Sequence, residues 1–185
     1  MNLILTAKFG DGCLHKNKTC KEYKAYFSGT DLSWQEFKAR SLQATGRISE
    51  TPNLGWGSKP IYSFSTPPSE EATRVFNLSV EEAISELSVE DLVVWYLDDG
   101  SWHKKKHFMH LYSNKLTKDQ TKLLADRIES LLGLRPAMRE DRKKDGRVYN
   151  YLYFGVNLAK AFLPYVQSLL VNNKLCSLYY KVGMV

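Results

Sequence analysis

An uninterrupted apolar run followed by two aspartates and a glycine occupies Leu92–Gly100. Just before it, Ser88 and Asp91 form the S-x-x-D pattern that caps the start of a helix, and a glycine after the last acid is typical of a left-handed helix end. The pattern therefore predicts a short, buried helix whose last turn carries two carboxylates. Acids are disfavoured there because a helix C-terminus carries partial negative charge. Asp-Gly is also a common turn dipeptide, so a single copy does not distinguish a turn from a site.

The same pattern occurs a second time, at Ile4–Gly12. The match extends beyond the glycines, because D-G-x-x-H-K is found at Asp11–Lys16 and again at Asp99–Lys104, with a constant offset of 88 residues. Turn chemistry alone does not account for such a repeat. Two related halves, each delivering one acid from the end of a buried helix, predict a paired-carboxylate site at a pseudo-twofold axis.

These repeated segments resemble the nine-residue motif of the LAGLIDADG homing endonucleases, in particular the two-motif, monomeric, intron-encoded type. Leu87–Ser101 and Cys176–Gly183 are also similar to the corresponding segments of that family. The alignment places the metal-binding acid of the motif at Asp11 and Asp99. Asp98 is the competing residue, but it aligns with Gly10, whereas Asp99 aligns with Asp11.

The first half is predicted to run from residue 1 to 67. A helix over residues 1–10 is followed by two strands, a helix opened by a capping box at Ser33–Glu36, and two further strands. Residues 68–87 are acidic and are predicted to form a helical linker. The first half is therefore predicted to form one antiparallel sheet with helices packed against it.

The second half, residues 88–185, is predicted to repeat this order. A capping box at Thr117–Gln120 opens a helix that ends near Gly133, and Asp145-Gly146 forms a hairpin turn. The last helix is predicted over residues 157–180, with a break at Pro164 or at Asn172–Asn173. Each half therefore predicts α-β-β-α-β-β-α, an α+β fold. The resemblance implies a saddle of two antiparallel sheets with the motif helices at the interface.

The resemblance also implies an activity, a site-specific double-strand DNA endonuclease dependent on Mg²⁺, with two or more ions at the motif interface. Asp11 and Asp99 would hold the metal, and Lys181 aligns with a basic residue that assists catalysis; an exposed terminal lysine is the alternative interpretation of Lys181. Arg74 is the nearest counterpart in the first half. Two alternatives on the same scaffold stay open, an RNA-binding splicing cofactor (maturase) and a non-cleaving DNA-binding protein.

The net charge of +6 is unevenly distributed. Residues 68–100 hold one basic and nine acidic side chains, whereas residues 101–150 hold 13 basic and six acidic ones. Such a distribution favours a polyanion partner held by the basic segments. The side chains predicted to contact a long, asymmetric DNA target are Lys16, Lys18, Lys21, Lys24, Arg47 and Lys59 in the first half, and Lys104, Lys105, Lys106, Lys115, Arg139, Arg142, Lys143, Lys144 and Arg147 in the second.

Other classes of protein are disfavoured. No apolar run approaches the ~20 residues that span a bilayer, and Lys8 and Asp11 interrupt the opening apolar run where a leader would continue. We therefore expect an intracellular protein, and the resemblance implies that it acts as a monomer. The three cysteines lack a CxxC spacing, so neither a disulfide framework nor a zinc finger is expected. His103 and His107 follow a predicted helix end and are not expected to form a helical metal pair.

Overall fold

In a computed structural model the chain is described over residues 1–16, 19–52, 59–143 and 145–184. It divides into two compact units, Asn2–Leu78 and a second that begins at Ser79. The boundary falls inside the acidic segment predicted as a linker. This segment consists of two helices, and each belongs to a different unit.

The first unit contains one antiparallel sheet of four strands, in the order β1-β2-β4-β3. Its elements are α1 (Leu3–Thr6), β1 (Gly12–His15), β2 (Lys24–Gly29), α2 (Leu32–Ser41), β3 (Ser49–Thr51), β4 (Ile61–Ser65) and α3 (Glu70–Asn77). The loop predicted between β3 and β4 includes residues 53–58, which lie outside the described residues.

Two details of the first unit differ from the sequence prediction. The opening helix covers only Leu3–Thr6, because the next N–H groups bond to residues three positions earlier and tighten the chain into turns up to Gly10. The predicted capping box at Ser33–Glu36 is wrong. The side chain of Asp31 is the cap, and it accepts a hydrogen bond from the Trp34 N–H at 2.9 Å.

The second unit contains a sheet of the same connectivity, in the order β5-β6-β8-β7. Its elements are α4 (Val80–Glu86), α5 (Val89–Asp99), β5 (Gly100–His103), β6 (Phe108–Tyr112), α6 (Lys118–Leu132), β7 (Ala137–Arg142), β8 (Val148–Phe154), α7 (Val156–Asn172) and a 3₁₀ helix (Cys176–Val182). The predicted α+β class and the repeated α-β-β-α-β-β-α order are confirmed.

The helix ends of the second unit mostly follow the predicted signals. Ser88 and Thr117 each form a complete capping box, and Gly133 ends α6 in the left-handed conformation at φ 70°. The last helix continues through Pro164 and ends at Asn172.

Each sheet has one face buried against the helices of its own unit. Met109 and Leu111 of β6 and Leu152 and Phe154 of β8 are fully buried, as are Phe27 and Phe64 in the first sheet. Because side chains alternate along a strand, the intervening residues point to the opposite face of each sheet. Across the described ranges, no helix is both long and apolar enough to cross a membrane.

Candidate functional site

The two acid-glycine turns occupy equivalent positions in the two units. Gly12 opens β1 and pairs with Phe27, and Gly100 opens β5 and pairs with Leu111. Asp11 and Asp99 are therefore the residues immediately before the first strand of each sheet. This register supports the alignment of Asp11 with Asp99 rather than with Asp98.

Both glycines are required by close packing. The prediction that Gly100 is a left-handed helix cap is wrong, since it has an extended backbone at φ −88° and ψ 162°. A Cβ at Gly100 would overlap the ring and the carbonyl oxygen of Tyr96, and a Cβ at Gly12 would lie 2.6 Å from Cα and Cβ of Ala7. A residue without a side chain lets each turn lie directly against the helix that precedes it.

The side chain of Lys181 reaches the second acid turn. Its Nζ donates hydrogen bonds to the carbonyl oxygens of Gly100 at 2.7 Å and of Asp98 at 3.4 Å. These carbonyls flank Asp99 on either side along the chain. The structure thus places the Lys181 side chain at the backbone turn that carries Asp99.

Tyr96 fixes the segment that carries Lys181. Its hydroxyl donates a hydrogen bond to the carbonyl oxygen of Lys181 at 2.6 Å. Burial raises the pKa of Tyr96, which keeps the hydroxyl protonated as a donor. A second contact lies nearby, where Trp102 packs against Gly183, whose φ is 69°. A Cβ at position 183 would lie only 2.5 Å from Nε1 of Trp102, so a glycine leaves the room that the indole needs. The segment that carries Lys181 is therefore held to α5 by Tyr96 and to β5 by Trp102.

The first acid turn has a different neighbour, Gln35. Asp11 is exposed, and its carbonyl oxygen accepts from the Ser28 N–H at 3.3 Å. Gly29 lies between the two side chains. A Cβ at Gly29 would be 3.8 Å from Oδ2 of Asp11 and 2.6 Å from Nε2 of Gln35. Gln35 is fully buried, and neither polar atom of its amide has a hydrogen-bond partner in the described part of the chain.

Sequence analysis did not identify Gln35 as a site residue. No sequence signal distinguished it, because only the structure shows that α2 buries Gln35 and Lys38 together with Trp34 and Phe37. Buried polar groups are normally satisfied, so a buried amide without a protein partner indicates a site for water, an ion or a ligand.

Two basic side chains of the first unit, Lys38 and Arg74, have structural partners. Lys38 is fully buried, with its Nζ 5.1 Å from the Trp34 ring and 5.2 Å from the Phe27 ring. Arg74, the predicted first-half counterpart of Lys181, makes a two-pronged ion pair with Glu71 at 2.8 and 2.9 Å. The charge of Arg74 is thus offset on the surface by its neighbour three residues earlier.

Most of the predicted DNA-contacting side chains are exposed. Lys24 is half-buried and belongs to the open face of the first sheet, where it precedes the buried Ala25. Lys104, Lys105 and Lys106 form the exposed β5–β6 turn. Lys18 and Lys144 lie outside the described residues.

Three basic residues of the β7–β8 hairpin are paired with acids. Lys143 bonds to Asp141 at 2.7 Å, Arg147 to Asp145 at 2.6 Å, and Arg142 to Glu140 at 3.3 Å. Exposed pairs of this kind are weak, so these cations remain able to exchange partners. By contrast, no ion pair is found in the described ranges for the β5–β6 turn lysines.

The described residues contain no ready-made site for a metal bound by several protein side chains. They contain no cluster of three or more His, Cys, Asp or Glu side chains, and Cys13, Cys20 and Cys176 are free thiols. Mg²⁺ is commonly bound by one or two carboxylates together with water and substrate phosphates. The described residues therefore do not provide a closed structural zinc site of four His or Cys ligands.

No family model matches the sequence, and no curated protein matches it. Solved structures do match. The homing endonuclease I-WcaI, bound to its DNA recognition sequence, gives a TM-score of 0.77 at 15% identity, over 99% of this chain and 84% of that one. The chain has the fold of the LAGLIDADG homing endonucleases.

Two other structures show the same fold. Mesophilic variants of the homing endonuclease I-DmoI give a TM-score of 0.57 at 17% identity, over 89% of this chain and 93% of that one. The N-terminal LAGLIDADG domain of DUF199/WhiA gives 0.53 at 11% identity, over 88% and 80% of the two chains. The LAGLIDADG fold therefore also occurs in a protein that is not named as an endonuclease, so the fold by itself does not assign cleavage.

Proposed function

We propose that this protein is a homing endonuclease, a monomer that cuts both strands of duplex DNA at a long, specific site. The observation that most supports this proposal is the repeated acid turn. It places Asp11 and Asp99 immediately before the first strand of two sheets with identical connectivity. The fold shared with I-WcaI, solved on its DNA recognition sequence, supports duplex DNA as the partner.

In this proposal Asp11 and Asp99 supply the carboxylates that hold divalent metal, with Mg²⁺ as the natural ion. When bound, the metal supplies an activated water and stabilises the leaving oxygen. A structure of I-DmoI with its target DNA and Mn supports the use of divalent metal by this fold. Hard carboxylate oxygens are the donors that such ions prefer.

Lys181 has the role of a positioning residue. Its ammonium bonds to the carbonyls on both sides of Asp99, and its backbone is held by Tyr96. These bonds fix the direction in which the Asp99 carboxylate leaves the chain. Small displacements of reacting groups reduce rates strongly, so a fixed turn favours catalysis.

Gln35 serves the first turn in a different way. No described protein group satisfies either the donor or the acceptor group of its amide, and its Nε2 lies beside Gly29, near Asp11. An ordered water or a substrate phosphate at Asp11 is the partner that fits an amide. The two turns are thus supported unequally, one by an ammonium and one by an amide.

The basic side chains named above supply the contacts to DNA phosphates, while the open sheet faces meet the major groove. An antiparallel ribbon fits a groove about 12 Å wide and carries alternate side chains to the base edges.

The test is cleavage of a plasmid library that contains partly randomised inserts, incubated with the full chain with and without Mg²⁺. We expect linear products that share one sequence and that form only with the metal. If the protein binds DNA but forms no linear products with any divalent metal, the result would instead favour a non-cleaving DNA-binding protein. The fold shared with DUF199/WhiA is consistent with that alternative. Binding to RNA alone would favour a splicing cofactor.

A further inference from the structure

The open face of the second sheet is covered by aromatic and imidazole rings. They alternate with the buried residues of β6 and β8, and neighbouring rings are in contact. Phe108 and His103 stack at 4.2 Å between ring centroids, His110 and Tyr151 lie 4.7 Å apart, and Phe108 and Tyr153 lie 5.0 Å apart. We name as the ring face the side chains of His103, Phe108, His110, Tyr112, Tyr151 and Tyr153.

The first sheet shows that this face is not a requirement of the fold. The registers align Phe27 with Leu111, which places Ser28 where Tyr112 stands in the second sheet. Ser28 pairs with Ser63, and Tyr112 pairs with Tyr151.

The same comparison holds one pair further along the strands. Tyr26 pairs with Ser65, and the equivalent His110 pairs with Tyr153. At three equivalent positions that point away from the core, the first sheet therefore has serine where the second sheet has tyrosine. Since the first sheet folds without these rings, the core does not require them, and we assign their role to the open face.

The ring face offers the apolar carbon surface of six rings, together with tyrosine hydroxyl groups and imidazole nitrogens at their edges. One cation lies against it, the guanidinium of Arg139, 4.9 Å from the centre of the Tyr153 ring. Asp141, on the same side of β7, is paired with Lys143 at 2.7 Å. The lysines of the β5–β6 turn lie at the end of the strands, beyond the rings.

The spacing of the rings matches a duplex. Side chains on one face of a strand repeat every two residues, about 6.8 Å. Bases follow one another every 3.4 Å along each strand of B-DNA, so successive rings on β6 are separated by about two base-pair steps. In the major groove, the single apolar group that a base presents is the C5-methyl of thymine.

We propose that the ring face reads thymine methyl groups, so that the half of the DNA target bound by the second unit is rich in thymine. The inference rests on the proposed function, since it assumes that the open face meets duplex DNA. The first sheet has serines in place of three of these rings, and one of them, Ser63, is buried, so its half of the target carries no such bias.

The test begins with selection of duplexes from a randomised library by the full chain, without divalent metal. We expect one half of the selected site to be enriched in thymine. Replacing these thymines with deoxyuridine, which removes only the methyl groups, weakens binding about fourfold for each methyl that is contacted. The same replacement in the other half changes affinity less than about twofold.

Two variants assign the effect to the rings. Tyr112→Ser/Tyr151→Ser/Tyr153→Ser, which installs the residues of the first sheet, binds thymine and deoxyuridine duplexes equally. The corresponding triple Tyr→Phe variant keeps the rings, so it keeps the sensitivity to deoxyuridine and also guards against a loss of folding in the serine variant. Tyr165→Ser, at an exposed position on α7, is the matched control.

Several results overturn the inference. These are a selected site without thymine enrichment, equal deoxyuridine effects in both halves, loss of the sensitivity in the Tyr→Phe variant, or preference for unpaired bases over duplex. A protein that selects no duplex at all would contradict the proposed function instead, so the two failures are distinguishable.

Discussion

The ammonium of Lys181 lies 2.7 Å from the carbonyl oxygen of Gly100, at the turn that follows the last residue of α5. Two acids at the C-terminal end of a helix are unfavourable, because that end already carries partial negative charge. A lysine from the other end of the unit places a positive charge at this point. The chain therefore stabilises the acid turn with its own cation before any metal is considered.

Lys181→Met should slow cleavage by about ten- to a hundredfold, because the aliphatic stem is kept while the hydrogen bonds that fix the Asp99 turn are lost. Single-turnover rates at saturating protein measure the effect. Lys160→Met, an exposed lysine of α7, is the matched control and should cleave at the wild-type rate. An unchanged rate for Lys181→Met would return Lys181 to the status of a surface residue.

Gly100→Ala should destabilise the protein by more than about 2 kcal/mol, since the added methyl overlaps the ring of Tyr96 in a closely packed region. Chemical denaturation measures the free energy of unfolding. In Gly133→Ala the methyl meets no atom within 4 Å, and only the left-handed backbone at φ 70° opposes it. We expect a smaller loss there, of about 1 kcal/mol. Similar losses at the two glycines would contradict the packing argument.

Much of the fold could be predicted because its signals are local. The capping boxes at Ser88 and Thr117, the alternation in β6 and the glycine after α6 all depend on residues close in sequence. The repeat at an offset of 88 residues located both acid turns. The position of Lys181 could be predicted only through its resemblance to a known segment.

The features that were missed depend on contacts between distant residues. Position 100 needs a glycine because the Tyr96 ring packs directly against it. In the sequence, this glycine cannot be distinguished from one that ends a helix in the left-handed conformation. Gln35 is a polar residue in a helix until the structure shows it buried beside Asp11. The serine-to-tyrosine relation between the sheets appears only after the strand registers are known.

The stability of the second unit should fall on acidification below about pH 6.5, because of His110. Burial, with smaller contributions from the positive charges of His103 and Arg139, lowers the pKa of His110 from 6.5 to about 4. Its other ring neighbours are Phe108, Tyr112, Tyr151 and Tyr153. Between these two values the unfolded chain binds more protons than the folded one, so stability rises with pH in this window and is complete above it.

Urea denaturation at a series of pH values tests the His110 prediction. His110→Asn and His110→Phe should both flatten the dependence between pH 4 and 6.5, relative to the wild type. The phenylalanine keeps a ring in the cluster, which separates titration from loss of packing. A slope that persists in both variants would assign the dependence to other groups.

The dependence of DNA affinity on salt should distinguish two groups of basic residues. Each phosphate neutralised on duplex DNA adds about 0.9 to the slope of log affinity against log salt. Replacing Lys104, Lys105 and Lys106 with alanine should reduce this slope by up to about 2–3.

The matched variant replaces Arg142, Lys143 and Arg147, which are paired with acids of their own hairpin. It should reduce the slope less, because each cation must leave its carboxylate before it meets a phosphate. Fluorescence anisotropy between about 50 and 200 mM salt covers the informative range. A larger reduction in the hairpin variant would identify the hairpin as the main anchor.

The most direct test is strand-resolved cleavage of an end-labelled duplex by three single variants in Mg²⁺. We predict that Asp11→Asn and Asp99→Asn abolish double-strand cleavage while DNA affinity stays within a few-fold of the wild type, and that Asp98→Asn still cuts both strands. Wild-type cutting by either Asp11→Asn or Asp99→Asn would contradict a site built from one acid of each unit. Loss of cutting in Asp98→Asn, with activity retained in Asp99→Asn, would show that Asp98 is the acid of the second turn.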